Sequence, residues 1–141
     1  MKRKAAGKRL QRKAKQKDDY VVFISHSSKD VWIARVIAEK IAKTGAVPWL
    51  DEKDLRGGDL LGDTIRRGID QCQESVVLVT PNSVKSQWVL LEIGAVWGHK
   101  KRVTPILYGV TYGWLSALSD IKAVELNDLD EFIQQLKQRV N

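Results

Sequence analysis

The chain has few of the residues that build disulfides, metal sites or membrane spans. Cys72 is the only cysteine in 141 residues, so no internal disulfide can form and a reducing, cytoplasmic location is expected. With one cysteine and two histidines, zinc sites built on paired cysteines are excluded, and we predict no bound metal. No apolar run approaches the roughly 18–20 residues that cross a bilayer, and no apolar segment follows the basic start as in a secretory signal.

Positive charge is concentrated at one end of the chain. Lysine and arginine number 24 against 17 acidic residues, but nine of the 24 lie in residues 1–17, which contain no acidic residue. The other residues therefore carry 15 basic and 17 acidic groups, a net charge of −2. We predict that 1–17 is a disordered tail, because its one large aliphatic residue, Leu10, cannot form a core. The tail is either a solvated leader or a contact for an anionic partner such as nucleic acid or lipid.

From residue 18 onward, short apolar runs alternate with segments of helical periodicity. Strands are predicted at 20–24, 47–50, 75–80, 103–108 and 124–126, where β-branched and aromatic residues cluster. Helices are predicted at 31–43, 61–71 and 86–99, and after Asp128, which is expected to cap the last helix. Regular alternation predicts one α/β domain over 18–141, with a parallel sheet covered by helices on both faces.

Ligands of such sheets bind beyond the carboxyl ends of the strands, where the segments 25–30, 51–63, 81–86 and 108–112 are predicted to lie. The chain lacks the dinucleotide fingerprint and the phosphate-binding loop, which argues against an ATPase or GTPase. The third strand ends in Val79-Thr-Pro-Asn82, without the aspartate of a phosphoacceptor domain. Ser25 and His26 are adjacent and form no nucleophile elbow, which argues against a serine hydrolase.

Trp88 and Glu92 stand four residues apart in the third predicted helix, so they share one helix face. An indole beside a carboxylate suits a nucleoside, because the indole stacks on a ring and the carboxylate accepts hydrogen bonds from ribose hydroxyls. The spacing alone is also compatible with a core tryptophan and a solvated glutamate.

Four separate segments occur in an order that is typical of one family. They are Asp18-Tyr-Val-Val-Phe-Ile-Ser-His-Ser, Trp49-Leu-Asp51 with Gly57-Gly58 after it, Ser86-Gln-Trp88 with Glu92, and Val103-Thr-Pro-Ile106. In these segments the chain resembles the Toll/interleukin-1 receptor (TIR) domain family, and more closely its small prokaryotic members, over residues 18–140. The resemblance implies a flavodoxin-like sheet of five parallel strands.

The resemblance also implies a function. Many TIR domains cleave NAD at the nicotinamide–ribose bond, by hydrolysis or by cyclisation to an ADP-ribose isomer. It implies NAD as the substrate, no cofactor, a role in bacterial anti-phage defence or signalling, and an active homo-oligomer of TIR domains. The alternative is a non-catalytic scaffold that acts by association with other TIR domains.

Site residues follow from the same resemblance. Glu92 matches the catalytic glutamate of enzymatic members, and Trp88 stands at the family spacing before it. The substrate is expected to contact Trp88 and two further groups of residues, which are Ser25, His26, Ser27 and Ser28 after the first strand and Asp51 and Leu60 after the second. Some enzymatic relatives have arginines where this chain has Ser27 and Ser28, so phosphate contacts would come from backbone amides, Lys29 or a neighbouring subunit.

Overall fold

The computed structural model describes residues 19–50, 70–84, 101–110 and 122–141. These residues form five strands and two α-helices, in the order β1 (Val21–Ser25), α1 (Val31–Ala42), β2 (Val47–Leu50), β3 (Glu74–Val79), β4 (Arg102–Leu107), β5 (Val124–Glu125) and α2 (Leu129–Val140). Short 3-10 helices at Ser28–Asp30 and Leu126–Asp128 directly precede α1 and α2. No helix in these ranges is long and apolar enough to cross a membrane. The basic segment 1–17 and most of the helices predicted at 61–71 and 86–99 lie outside the described residues.

All five strands form one parallel sheet in the order β2-β1-β3-β4-β5. This flavodoxin-like arrangement confirms the predicted fold class. Every strand was predicted to within one residue at each end. Pro48 lies on β2, which is the edge strand that a residue without a backbone N–H favours.

Both faces of the sheet are buried, as near-continuous apolar strands require. Helices α1 and α2 pack against the face that carries Val22 and Ile24 of β1, together with Val76, Leu78 and Ile106 of the neighbouring strands. The opposite face carries Val21, Phe23 and Cys72, with Val47 and Trp49 packed against them. The rings of Phe23 and Trp49 meet edge to face at 5.3 Å between centroids.

Cys72 lies just before β3 as a small buried side chain that is 2% exposed. Burial raises the pKa of its thiol to about 11. Because the thiolate is the reactive form of cysteine, this residue is a poor nucleophile at neutral pH.

Both α1 and α2 begin without a side-chain capping hydrogen bond. Asp30 and Asp128 occupy the N-cap positions of α1 and α2, but neither side chain makes a capping hydrogen bond. Asp128 therefore occupies the predicted N-cap position of the last helix, but the prediction that its side chain caps the helix is wrong. Each aspartate ends a 3-10 turn, with ψ near 20°, whereas a capping residue normally has an extended backbone.

A buried ion pair joins the amino edge of the sheet to α2. Glu74, at the start of β3, is fully buried, and the Arg139 guanidinium donates Nε–H to Oε2 and Nη2–H to Oε1, both at 2.8 Å. The Tyr20 hydroxyl donates to the same Oε2 at 2.5 Å. Three segments that are distant in the sequence are therefore fixed by one carboxylate.

Tyr20 makes stability depend on pH in the alkaline range. Burial, and then the hydrogen bond to Glu74, raise the pKa of Tyr20 to about 12 from an ordinary value of 10.0. The folded chain therefore holds this proton more tightly than the unfolded chain, so the stability it contributes is complete below pH 10 and is lost as pH rises toward 12. Urea unfolding at pH 9 and pH 11 should show a smaller pH-dependent loss in Tyr20→Phe than in the parent chain. An equal loss in both would contradict this assignment.

Candidate functional site

Two loops meet at the carboxyl edge of the sheet. The first loop, residues 26–30, follows β1, and the third-strand turn, residues 80–83, follows β3. Strands β1 and β3 are hydrogen-bonded neighbours and run parallel, so these loops lie side by side. This is the edge at which ligands of parallel sheets bind.

Ser27 organises the first loop. Its Oγ accepts a hydrogen bond from the backbone N–H of Lys29 at 3.2 Å, and its carbonyl oxygen accepts one from the N–H of Asp30 at 2.9 Å. Ser28 and Lys29 are exposed on the resulting 3-10 turn. The loop therefore has a defined shape and presents polar groups at its surface.

The His26 ring in this loop has one satisfied and one unsatisfied nitrogen. Nδ1 lies 2.8 Å from the carbonyl oxygen of Ser27, and since a carbonyl only accepts, Nδ1 carries a hydrogen. In the neutral ring Nε2 is then an acceptor. Nε2 is buried and has no hydrogen-bond partner in the described part of the chain. A buried polar atom without a partner costs on the order of 1–3 kcal/mol, which a donor on a bound ligand would offset.

Asp30 connects the first loop to the third-strand turn. Its side chain is buried, and Oδ2 accepts a hydrogen bond from Oγ1 of Thr80 at 2.6 Å. Oδ1 accepts a second bond from Nδ2 of Asn82 at 2.8 Å. Hydrogen bonds to a carboxylate are stronger than those between neutral groups, so this contact holds the two loops in a fixed relation.

The third-strand turn is closed by its own hydrogen bonds. The backbone N–H of Thr80 donates to Oγ of Ser83 at 3.0 Å, and this hydroxyl donates to the carbonyl of Leu78 at 2.9 Å. The backbone N–H of Asn82 donates to Oγ1 of Thr80 at 3.1 Å. Residue 84, directly after the turn, is helical.

The end of β4 packs against the same turn. The N–H of Tyr108 donates to the carbonyl of Val79 at 3.0 Å. Gly109 has a φ of +72°, and a Cβ at this position would lie 3.3 Å from Cδ of Pro81. Glycine therefore suits this position for both its backbone and the space beside it. The Tyr108 side chain is half exposed at this edge.

Half of the predicted site residues can be located. Ser25, His26, Ser27 and Ser28 lie at the carboxyl edge, as expected. The other four lie outside the described residues, namely Asp51, Leu60, Trp88 and Glu92.

Sequence reasoning did not predict the contact of Asp30 with Thr80 and Asn82. The segments that carry these residues were placed at this edge, but side-chain pairing between two loops leaves no periodic signal in a sequence.

A cleft lies elsewhere on the sheet. It is a cleft of about 220 Å³ between β4, β5 and α2, and it includes no residue of the first loop. The cleft is lined by three basic and three acidic residues, so their formal charges cancel. These residues are Arg102, Lys122, Arg139, Glu125, Asp128 and Glu131. Within the four described ranges, no group of three or more histidine, cysteine or acidic side chains is arranged to hold a metal ion.

The sequence model of the TIR domain family matches residues 22–140 of this chain. The chain belongs to the TIR domain family. A probable 2′ cyclic ADP-D-ribose synthase, BdTIR of Brachypodium distachyon, is 29% identical over 118 residues, covering 80% of this chain and 53% of that protein. The 2′ cyclic ADP-D-ribose synthase BtTIR of Bacteroides thetaiotaomicron is 30% identical, covering 84% and 45%. The NAD(+) hydrolase TcpA of a Theionarchaea archaeon is 28% identical, covering 77% and 34%. The chain thus spans about half or less of the length of these relatives.

Solved TIR structures share the fold. A TIR-STING receptor of C. gigas matches with a TM-score of 0.64 and 22% identity, over 88% of this chain and 41% of that one. The TIR domain of the Toll-related receptor TRR-2 of Hydra magnipapillata matches with a TM-score of 0.61 and 19% identity, over 84% and 96%. At these identities the likeness supports the architecture of the TIR domain and carries no argument about activity.

Proposed function

We propose that this TIR domain cleaves NAD at the bond between nicotinamide and ribose. The observation that carries the proposal is the kinship with 2′ cyclic ADP-D-ribose synthases and an NAD(+) hydrolase at 28–30% identity. The Trp88 and Glu92 pair, at its four-residue spacing, supports it from the sequence. The open Nε2 of His26 at the ligand-binding edge supports it from the described structure.

One carboxylate suffices for this reaction. The nicotinamide of NAD is bonded through a cationic ring nitrogen and leaves as a neutral molecule, so no general acid has to protonate it. The barrier is the positive charge that develops on the ribose, and a carboxylate placed beside it stabilises that charge. We assign this role to Glu92. Ordinary glycoside hydrolysis needs a second carboxyl group to protonate the leaving group.

The remaining predicted residues would bind and orient NAD. Trp88 would stack on a ring, and Nε2 of His26 would accept a hydrogen bond from a hydroxyl or amide N–H. Ser25, Ser27, Ser28, Asp51 and Leu60 would line the site. The exposed ammonium of Lys29, together with backbone amides, is our candidate for phosphate contact in place of arginine. No bound cofactor is required, since NAD is the substrate.

The acceptor determines the product. Attack by water gives ADP-ribose and releases one proton, whereas attack by an adenine nitrogen or a ribose hydroxyl of the same molecule gives a cyclic isomer. A site that excludes water favours the cyclic product. We propose that either product serves bacterial defence or signalling in the cytoplasm.

We further propose that the active form is an assembly of several copies. Solved neighbours of this fold include the heterodimer of the RPS4 and RRS1 TIR domains and the TIR domains of the activated Roq1 resistosome. Association without catalysis is the alternative function, and the basic tail would add a contact for an anionic partner.

The test is incubation of the purified chain with NAD at low and at high protein concentration, with chromatographic separation of nicotinamide, ADP-ribose and cyclic products. We expect nicotinamide release that rises more than in proportion to protein concentration. Release in proportion to concentration would leave the enzyme in place and contradict the assembly. No release at any concentration, from a chain that self-associates, would favour the scaffold.

A further inference from the structure

Asp30 is a buried carboxylate for which neither catalysis nor helix capping provides a role. It is 6% exposed and makes no capping hydrogen bond to α1. Both of its oxygens accept hydrogen bonds from the third-strand turn, one from Thr80 and one from Asn82. No salt bridge to it occurs within the described residues. A buried negative charge of this kind is costly, and it persists only where donors compensate it.

We infer that Asp30 is a positioning residue that fixes the first loop of the proposed NAD site against the third-strand turn. This inference rests on the proposed function. The first loop carries His26, four residues before Asp30 in the sequence. Trp88 and Glu92 come five and nine residues after Ser83 of the third-strand turn in the sequence. Asp30 joins the loop to the turn through Thr80 and Asn82.

The geometry separates this role from catalysis. Two donors at 2.6 and 2.8 Å occupy the Asp30 oxygens, and burial keeps the side chain from solvent. Asp30 therefore acts on the reaction only through the segments that it joins. Displacing a catalytic group by about 1 Å can cost on the order of 10²-fold in rate, so loss of this connection should lower turnover.

The two donors allow a test by exchange of partners. Asp30→Leu removes both acceptors at similar volume, and Asn82→Asp places a second carboxylate opposite Asp30. Each of these single variants therefore breaks the contact. The double variant Asp30→Asn with Asn82→Asp restores it, because the amide at position 30 accepts from Thr80 and donates to the carboxylate at position 82.

We expect kcat for nicotinamide release to fall about 10–100-fold in each single variant, with KM changed less than threefold, and to recover to within threefold in the double variant. Tyr20→Phe is the matched control, since it removes a hydrogen bond at the opposite edge of the sheet and should leave kcat unchanged. All assays are run on variants whose circular dichroism shows full folding. A folded Asp30→Leu with kcat within twofold of the parent, or a double variant no better than Asn82→Asp alone, would overturn the inference.

Hydrogen exchange separates failure of this inference from failure of the proposed function. The amide hydrogens of Thr80, Asn82 and Ser83 are bonded within the turn, so Asn82→Asp should speed exchange in the turn at least tenfold, and the double variant should slow it again. If the parent chain releases no nicotinamide while exchange responds in this way, the proposed function fails and the contact between the loops stands. If exchange does not respond, the inference fails whatever the activity.

Discussion

Glu92→Gln is expected to lower nicotinamide release by at least about 10²–10³-fold while the fold and the KM for NAD change little. The amide keeps the size of the side chain and a hydrogen-bonding oxygen for the ribose hydroxyls, but it removes the negative charge. That charge acts mainly when the ribose becomes cationic, so its loss falls on kcat. Steady-state kinetics by chromatography of nicotinamide measures the effect.

Glu39→Gln is the matched control for this variant. Glu39 is an exposed glutamate on α1, and its neutralisation changes the net charge by the same amount. It should retain the activity of the parent chain. A folded Glu92→Gln with more than a tenth of the parent rate would remove Glu92 from the mechanism and leave the NAD site without its catalytic group.

Glu74→Gln is expected to lower the free energy of unfolding by about 3–5 kcal/mol, which is a large part of the stability of a domain of this size. The amide can accept one hydrogen bond from Arg139, but its own N–H₂ then faces another donor. The guanidinium also loses its counter-charge while most of it stays buried. Urea unfolding at pH 7, followed by circular dichroism, measures the loss.

Two further variants test whether this loss of stability comes from the cluster of Tyr20, Glu74 and Arg139. Glu125→Gln, at an exposed glutamate on β5, should stay within about 0.5 kcal/mol of the parent chain. Once Glu74 is replaced, adding Tyr20→Phe should cost less than it does in the parent chain, because the two residues share a hydrogen bond. If the losses of unfolding free energy in the two single variants simply add in the double variant, Tyr20 and Glu74 do not stabilise the fold through a shared interaction.

The architecture could be predicted because buried parallel strands leave a strong signal. Val22 to Ile24 and Val76 to Val79 are apolar on both faces, and short runs of this kind between turn residues are typical of strands buried in a parallel sheet. The helical period placed α1 within one residue of its observed end. Capping was harder to predict, because Asp128 could bond only if its backbone were extended, and a 3-10 turn precedes the helix instead.

The meeting of the first loop and the third-strand turn at one edge of the sheet could be predicted, but the contacts between them could not. Parallel topology brings the first loop and the third-strand turn to one edge, so their proximity followed from the order of the elements. The bonds of Asp30 to Thr80 and Asn82 cross 50 and 52 positions of sequence, and they depend on rotamers that no local pattern encodes. The Glu74–Arg139 pair, 65 positions apart, was not predicted for the same reason.

The most direct test of the proposed NAD site is to map where NAD binds by hydrogen exchange. Hydrogen exchange of Glu92→Gln, with and without millimolar NAD, follows the substrate without turning it over. We predict slower exchange at 26–30 and 80–84 and no change at 122–128, beside the cleft between β4, β5 and α2. Slower exchange at 122–128 with none at the carboxyl edge would contradict the account, because NAD would then bind away from the residues assigned to it.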